Sequence, residues 1–317
     1  MKIAVLCAPR RFDVIDEPMP QMEDDEVVVR VAYCGVCASE LDMWEGKAGS
    51  SIFPHFPGHE VSGTVEKVGA SVRIFKPGDP VAVWVTGRGF AHCVAVKAAY
   101  CLPAGDVPLD LALAEPLACA VNTVELADIS LGDDVVIIGA GFMGHLVQKL
   151  VAMQGPRHLI VADRRADALD RAKQLGATRV VNVATEALVE AVKELTCGRG
   201  ADASFEVTGV QAPLLVLGDV TRMSGKVVLV GYHQGGRREI PLAQWNYKAF
   251  QIINAHFREE ATIMRGMRIG MRLLTSGRLT LDGLVTHRHA LQDIDKAFAV
   301  AHEKPIGFVK STVCVGD

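Results

Sequence analysis

Hydrophobic and polar positions follow two different patterns along the chain. Up to about residue 105, short runs rich in β-branched residues stand between Gly- and Pro-containing breaks: EVVVRVAY (26–33), EVSGTVEKVG (60–69), PVAVWV (80–85) and AHCVAV (91–96). Closely spaced short runs of this kind predict a compact β-rich domain rather than alternating strand–helix units. From about Leu117 the pattern changes. Strand-like DVVIIG (134–139), HLIVAD (158–163), RVVN (179–182), ASFEVTG (203–209), GKVVLVG (225–231) and QIINAHF (251–257) alternate with helical stretches. Those helices are FMGHLVQKLVAMQ (142–154), ADALDRAKQLG (166–176), TEALVEAVKELTCG (185–198) and QAPLLVLGDVTRM (211–223). Six such strands predict an α/β domain, a doubly wound parallel sheet with helices on both faces. From about Ala261 a helix, a short strand region and a second helix, DIDKAFAVAHE (293–303), remain. The pattern leaves open whether they complete the first domain or extend the second.

Composition narrows the class. The chain has 317 residues, 50% of them hydrophobic, with 33 basic against 37 acidic side chains and a net charge of −4. That length suits about two domains. Mild acidity without any Lys/Arg block argues against a nucleic-acid partner. No uncharged apolar stretch is long enough to span a membrane, and MKIAVLCAPRRFDV reaches charged residues too soon for a signal peptide. A cytoplasmic location is expected. The eight cysteines are scattered, with one C-x-x-C at Cys34 and Cys37, and read as buried thiols unless a metal claims them.

Gly139-Ala140-Gly141-Phe142-Met143-Gly144 forms G-x-G-x-x-G between a predicted strand and a predicted helix, the setting a dinucleotide fingerprint requires. The first glycine permits the turn, the second lets backbone N–H groups approach a pyrophosphate, and the third permits close helix–strand packing. The helix N-terminus adds partial positive charge. Asp163 ends the next strand, nineteen residues beyond Gly144. A carboxylate there accepts from ribose hydroxyls and repels a 2′-phosphate, so NAD is expected over NADP. Arg164 and Arg165 beside it weaken that preference.

Cys37, His59, Glu60 and Glu115 are candidate metal ligands in the β-rich part. A thiolate, an imidazole and one carboxylate make a three-ligand zinc site with an open position, the catalytic arrangement. CGVCASELDMW (34–44), FPGHEVSGTVEKVGASVRIFKPGDPVAV (56–83), AEPLACAVNTVELADISLGDDVVIIGAGFMG (114–144) and ADRRADALDRAKQLGA (162–177) follow in order. Together they resemble the zinc-dependent medium-chain dehydrogenase/reductase superfamily, particularly its sorbitol and polyol dehydrogenase branch.

The resemblance implies a GroES-like catalytic domain of residues 1–116 and 261–317 around a Rossmann NAD-binding domain of residues 117–260, with zinc and nicotinamide meeting in the cleft between them. It implies Cys37 and His59 as zinc ligands, and Glu60 or Glu115 as a carboxylate ligand, direct, through water or in alternation. Cys119 is a weaker fallback, and Cys34 matches a position that is not a ligand. Zinc is implied as the Lewis acid for hydride transfer from an alcohol to NAD. Ser39, which otherwise reads as a helix N-cap, falls where the family keeps the hydroxyl that takes the substrate proton.

Three departures stand out. Glu40 replaces the family's usual Asp, with support of the zinc-bound His as its implied role. Asp42 replaces a His that ends the proton relay, so it accepts that proton, or the relay runs through water instead, or Asp42 is a solvated surface acid. The four-cysteine lobe that holds a structural zinc in many relatives is missing, since Val85-Thr86-Gly87-Arg88-Gly89 leads straight into FAHCVAV. One zinc per subunit is therefore expected. Trp44 either matches a substrate-pocket aromatic of the polyol branch or is a core or lid aromatic, and His55, Trp84, Arg88 and His92 are further candidates for the cleft edge. The resemblance implies a small-molecule secondary alcohol as substrate (a polyol, cyclitol or sugar derivative) and a homodimer or homotetramer joined through an edge of the nucleotide-binding sheet. Threonine or a simple secondary alcohol is the alternative substrate. A zinc-free quinone reductase and a non-catalytic nucleotide-binding protein are the more distant alternatives.

Overall fold

The computed structural model describes residues 1–47 and 52–316. Two compact units emerge, one of Met1–Ala118 with Ile263–Asp317 and one of Cys119–Thr262. The second is thus inserted into the first, and the C-terminal segment belongs with the β-rich part.

The inserted unit holds the strands Asp134–Ile138, His158–Asp163, Arg179–Asn182, Ala201–Glu206, Thr221–Leu229 and Gln251–Asn254. All pair in parallel, in the spatial order third, second, first, fourth, fifth, sixth. This is the doubly wound Rossmann order, with its reversal between the first and fourth strands. The first strand, DVVII, is buried throughout because helices cover both faces of the sheet. Val136, Ile160, Val181, Leu217 and Trp245 are among the residues packed in one of its cores.

Element ends shift by a few residues from the sequence expectation, and one shift has a clear cause. The helix Gln211–Val220 stops before Thr221, and TRM opens the fifth strand instead of ending the helix. Thr221 is β-branched and buried, and its Oγ1 donates to Leu217 O at 2.7 Å and pairs with Ser204 Oγ at 2.8 Å. Those bonds turn the chain into the sheet.

In the other unit, Glu26–Gly35 is the central strand. It pairs antiparallel with Glu60–Val68, Cys93–Lys97 and Ser311–Cys314. Pro80–Trp84 and Cys101–Pro103 extend the sheet on one side and His287–Ala290 on the other. A separate hairpin, Lys2–Ala8 with Arg11–Asp16, was not anticipated from the pattern. The core includes Val29, Val61, Val83, Phe90, Phe298 and Val313. Among the described residues, no helix is long and apolar enough to cross a membrane.

Candidate active site

The register of the antiparallel sheet builds the site. Gly35 sits opposite both Glu60 and Thr312, so the end of the CGVC segment, the start of the strand after His59 and the chain near Lys310 meet at one place. Cys37 then leaves the strand as the N-cap of a short 3-10 turn, Ala38–Glu40, followed by the helix Leu41–Trp44. Ser39 lies inside that turn and is not the cap. Its hydroxyl donates to Cys37 Sγ at 3.1 Å.

Donor atoms of Cys37, His59 and Glu60 all lie within 4.8 Å of one another, the one such group among the described residues. Glu115, in the first turn of the helix Ala114–Ala127, brings Oε2 to 4.0 Å from His59 Nε2. Glu40 is buried, and its Oε1 stands 3.0 Å from His59 Nδ1 and accepts the Gly58 N–H at 2.7 Å. A carboxylate on Nδ1 is the usual arrangement behind a metal-bound imidazole, and it leaves Nε2 on the side of Glu115. Burial alone would favour a neutral His59 ring. The Glu40 carboxylate and Cys37 outweigh it and hold the pKa well above the usual histidine range. Thiol, imidazole and carboxylate together fit zinc with a position left open.

A residue that sequence analysis missed completes the site. Lys310 is buried, and its ammonium lies 2.7 Å from Glu60 Oε1, 2.6 Å from Oε2 and 2.8 Å from Val36 O. The lysine supplies the positive charge that lets a buried carboxylate stand beside two further acids. Its signal in the sequence is a lone Lys in the apolar run FVKSTVC. Gly35 serves the same end: a Cβ there would lie 2.0 Å from Glu60 Oε2. Cys34 is fully enclosed, and burial, aided by Glu40 and Glu60, raises its thiol pKa well above the ordinary value, leaving it inert.

One expected site residue faces elsewhere. Trp44, expected at the substrate pocket, is 4% exposed and packs in the core. Its ring lies 6.1 Å from that of Phe298 and 5.9 Å from that of His302, because the short helix turns this side chain toward Ile294–Glu303. Asp42, on the same helix, forms an ion pair with Lys47 at 2.5 Å. Arg88 likewise engages Glu17, with its guanidinium 4.3 Å from the centre of the Phe56 ring.

Gly139 and Gly144 sit where only glycine fits. Gly139 has φ +112°, a conformation that L side chains rarely adopt. A Cβ on Gly144 would lie 1.9 Å from Gly139 O, so helix and turn close only around a glycine. Gly141 caps the helix Phe142–Ala152 with open space where a Cβ would stand. Phe142 is buried, while Met143 is partly exposed on the first turn. Asp163 Oδ2 accepts the Ala140 N–H at 2.7 Å and Oδ1 accepts the Arg165 N–H at 2.9 Å, tying the acid to the glycine-rich turn. Arg164 is exposed beside it.

Comparison with known proteins agrees with this geometry. Residues 23–114 match the alcohol dehydrogenase GroES-like domain, and residues 143–269 match the zinc-binding dehydrogenase family. An uncharacterised zinc-type alcohol dehydrogenase-like protein of Escherichia coli (strain K12) is 28% identical, with 99% of each chain covered. An L-threonine 3-dehydrogenase of Shewanella frigidimarina (strain NCIMB 400) is 30% identical over 90% of this chain and 91% of its own. The crystal structure of the 2R,3R-butanediol dehydrogenase of Bacillus subtilis superposes with a TM-score of 0.84 at 25% identity, covering 99% of both chains. A Rossmann sheet, a GroES-like domain and relatives along its whole length make this chain a member of the zinc-dependent medium-chain dehydrogenase/reductase superfamily, an oxidoreductase of the zinc-type alcohol dehydrogenase family.

Proposed function

We propose that the protein oxidises a secondary alcohol of a polyol, cyclitol or sugar derivative with NAD, using one zinc held by Cys37, His59 and a carboxylate. The observation that carries this reading is the cluster of Cys37, His59 and Glu60, with Glu40 behind His59 and the Ser39 hydroxyl on the Cys37 sulfur. When bound, zinc supplies a Lewis acid for the alcohol oxygen and the nicotinamide ring supplies the hydride acceptor. Glu40 orients His59 and keeps Nε2 available. Glu60, neutralised by Lys310, and Glu115 are the two carboxylates within reach, and we assign the third ligand to this pair. Ser39 takes the proton from the substrate hydroxyl. Asp42, already paired with Lys47, passes it on through water.

L-Threonine is a second candidate substrate, favoured by the relatives of that name, since its hydroxyl is also a secondary alcohol. Incubating the zinc-loaded protein with polyols, cyclitols, sugars, threonine and butanediols, and following NADH formation, separates the two. Turnover of polyols well above threonine supports the first assignment, and the reverse ranking replaces it. Loss of activity on chelation excludes a zinc-free quinone reductase. Absence of NADH with every alcohol would revive a non-catalytic role.

The preference for NAD rests on Asp163. Asp163→Ala is expected to weaken NAD by about tenfold, the cost of losing hydrogen bonds to a charged acceptor, and to narrow the preference over NADP. Michaelis constants for both cofactors check it, and unchanged values would remove Asp163 from the ribose site. We also propose a homo-oligomer joined along Gln251–Asn254, an edge strand paired on one side, with Ile252 47% exposed. Sedimentation of the purified protein as a monomer would refute it.

A further inference from the structure

The fourth and fifth strands of the inserted sheet end in a polar assembly that the fingerprint does not include. Glu206, the last residue of Ala201–Glu206, is completely buried. Its Oε1 accepts the N–H of Thr208 at 2.7 Å, the Thr208 hydroxyl at 2.5 Å and the N–H of Gly209 at 3.0 Å. Its Oε2 stands 2.9 Å from His233 Nε2. The Glu206 carbonyl accepts the N–H groups of Val230 and Gly231 at 2.8 and 2.9 Å, so one residue holds both the loop after the fourth strand and the loop after the fifth. The two loops touch through backbone: a Cβ on Gly231 would lie 2.2 Å from Gly209 N and 2.3 Å from Glu206 Oε2. The ring of His256, just beyond the sixth strand, lies 5.5 Å from that of Tyr232, and its Nε2 is 3.2 Å from Gly231 O.

The position of this assembly in the sheet gives it a use. Ligands of doubly wound sheets lie outside the carboxyl ends of the strands and cross the point where strand order reverses. Here that point is between the first and fourth strands. Gly139, Gly141, Gly144 and Asp163 mark the side of the first and second strands, which takes the adenosine and pyrophosphate. The rest of the dinucleotide therefore extends over the ends of the fourth and fifth strands, where Glu206 and His233 lock the loops. A buried carboxylate is retained only with every acceptor site engaged, and these donors all come from the two loops the cofactor would meet.

We propose that Glu206 and His233 are positioning residues for the nicotinamide half of the cofactor, fixing the two loops on which that half rests. The inference depends on the dinucleotide reading of the fingerprint. It predicts a split that a merely structural pair would not produce. The experiment compares binding of NADH with binding of ADP, which lacks the nicotinamide half, to the zinc-loaded wild type and to His233→Phe, His233→Gln and Thr208→Val by titration calorimetry. His233→Phe is expected to weaken NADH by about tenfold and leave ADP within about twofold. His233→Gln, which keeps a donor where Nε2 stood, should restore most of the NADH affinity. Thr208→Val removes one donor and should weaken NADH selectively by a smaller factor, which provides the measurement even if His233→Phe does not fold. Equal weakening of both ligands, or unchanged binding of both, overturns the proposal. Tight ADP and NADH binding by wild type without any split in the variants leaves the dinucleotide site intact and removes only this inference. Failure of wild type to bind either ligand overturns both.

Discussion

A Cys37→Ser protein is expected to lose its zinc and at least about a thousandfold in turnover, while NADH binds within about twofold of wild type. The serine hydroxyl stays protonated near neutrality and is a poor zinc donor, whereas a thiolate is a strong one. Lewis-acid polarisation contributes several kcal/mol to such reactions, and about 4 kcal/mol corresponds to a thousandfold. The substitution also removes the sulfur that accepts the Ser39 hydroxyl, so the proton acceptor loses its anchor. Cofactor binding should survive because Gly139, Gly141, Gly144 and Asp163 all lie in the other unit. Zinc content, turnover and NADH titration on one preparation read all three effects. Full zinc occupancy in the variant would strike Cys37 from the ligand set.

Lys310→Met is expected to destabilise the metal-free protein by about 3–5 kcal/mol, the usual cost of leaving a buried charge without its partner. Both members are almost wholly enclosed, with side-chain exposures of 6% for Lys310 and 1% for Glu60. Removal of the ammonium leaves Glu60 near Glu40 and Glu115 with no compensating charge from Lys310. Saturating zinc should recover part of the loss, because the cation can take over the neutralising role. Urea unfolding with and without zinc reports both quantities. A loss below about 1 kcal/mol, or no recovery with zinc, would show that the lysine is not the counter-charge of Glu60.

What the sequence disclosed and what it hid follow a physical division. The inner strands Asp134–Ile138 and His158–Asp163 were legible because strands covered on both faces read as continuous apolar runs. The fingerprint was legible because its requirements are local: Gly144 faces Gly139 five residues away, and Asp163 reaches back to Ala140. Cys37, His59 and Glu60 were found through residue type and the GHE context. Lys310 was not, because its partner lies 250 residues earlier and only the sheet register brings them together. Trp44 shows the opposite failure. Its match to the polyol branch suggested the pocket, but the rotation of a four-residue helix decided that it faces Phe298. The hairpin Lys2–Ala8 with Arg11–Asp16 was missed since KIAVLCA has no alternation, being buried over Ile3–Leu6. Glu206 and His233 carry no local signal, for their pairing depends on two loops meeting at the end of the sheet.

Turnover is expected to need a single zinc centre built on Cys37 and His59. Elemental analysis of protein purified without chelator, combined with an activity assay on the same sample, tests it most directly. About one zinc per chain is expected, the number of three-ligand clusters among the described residues, with activity lost on chelation and restored by zinc. A ratio near two, or full activity with no zinc, would contradict it.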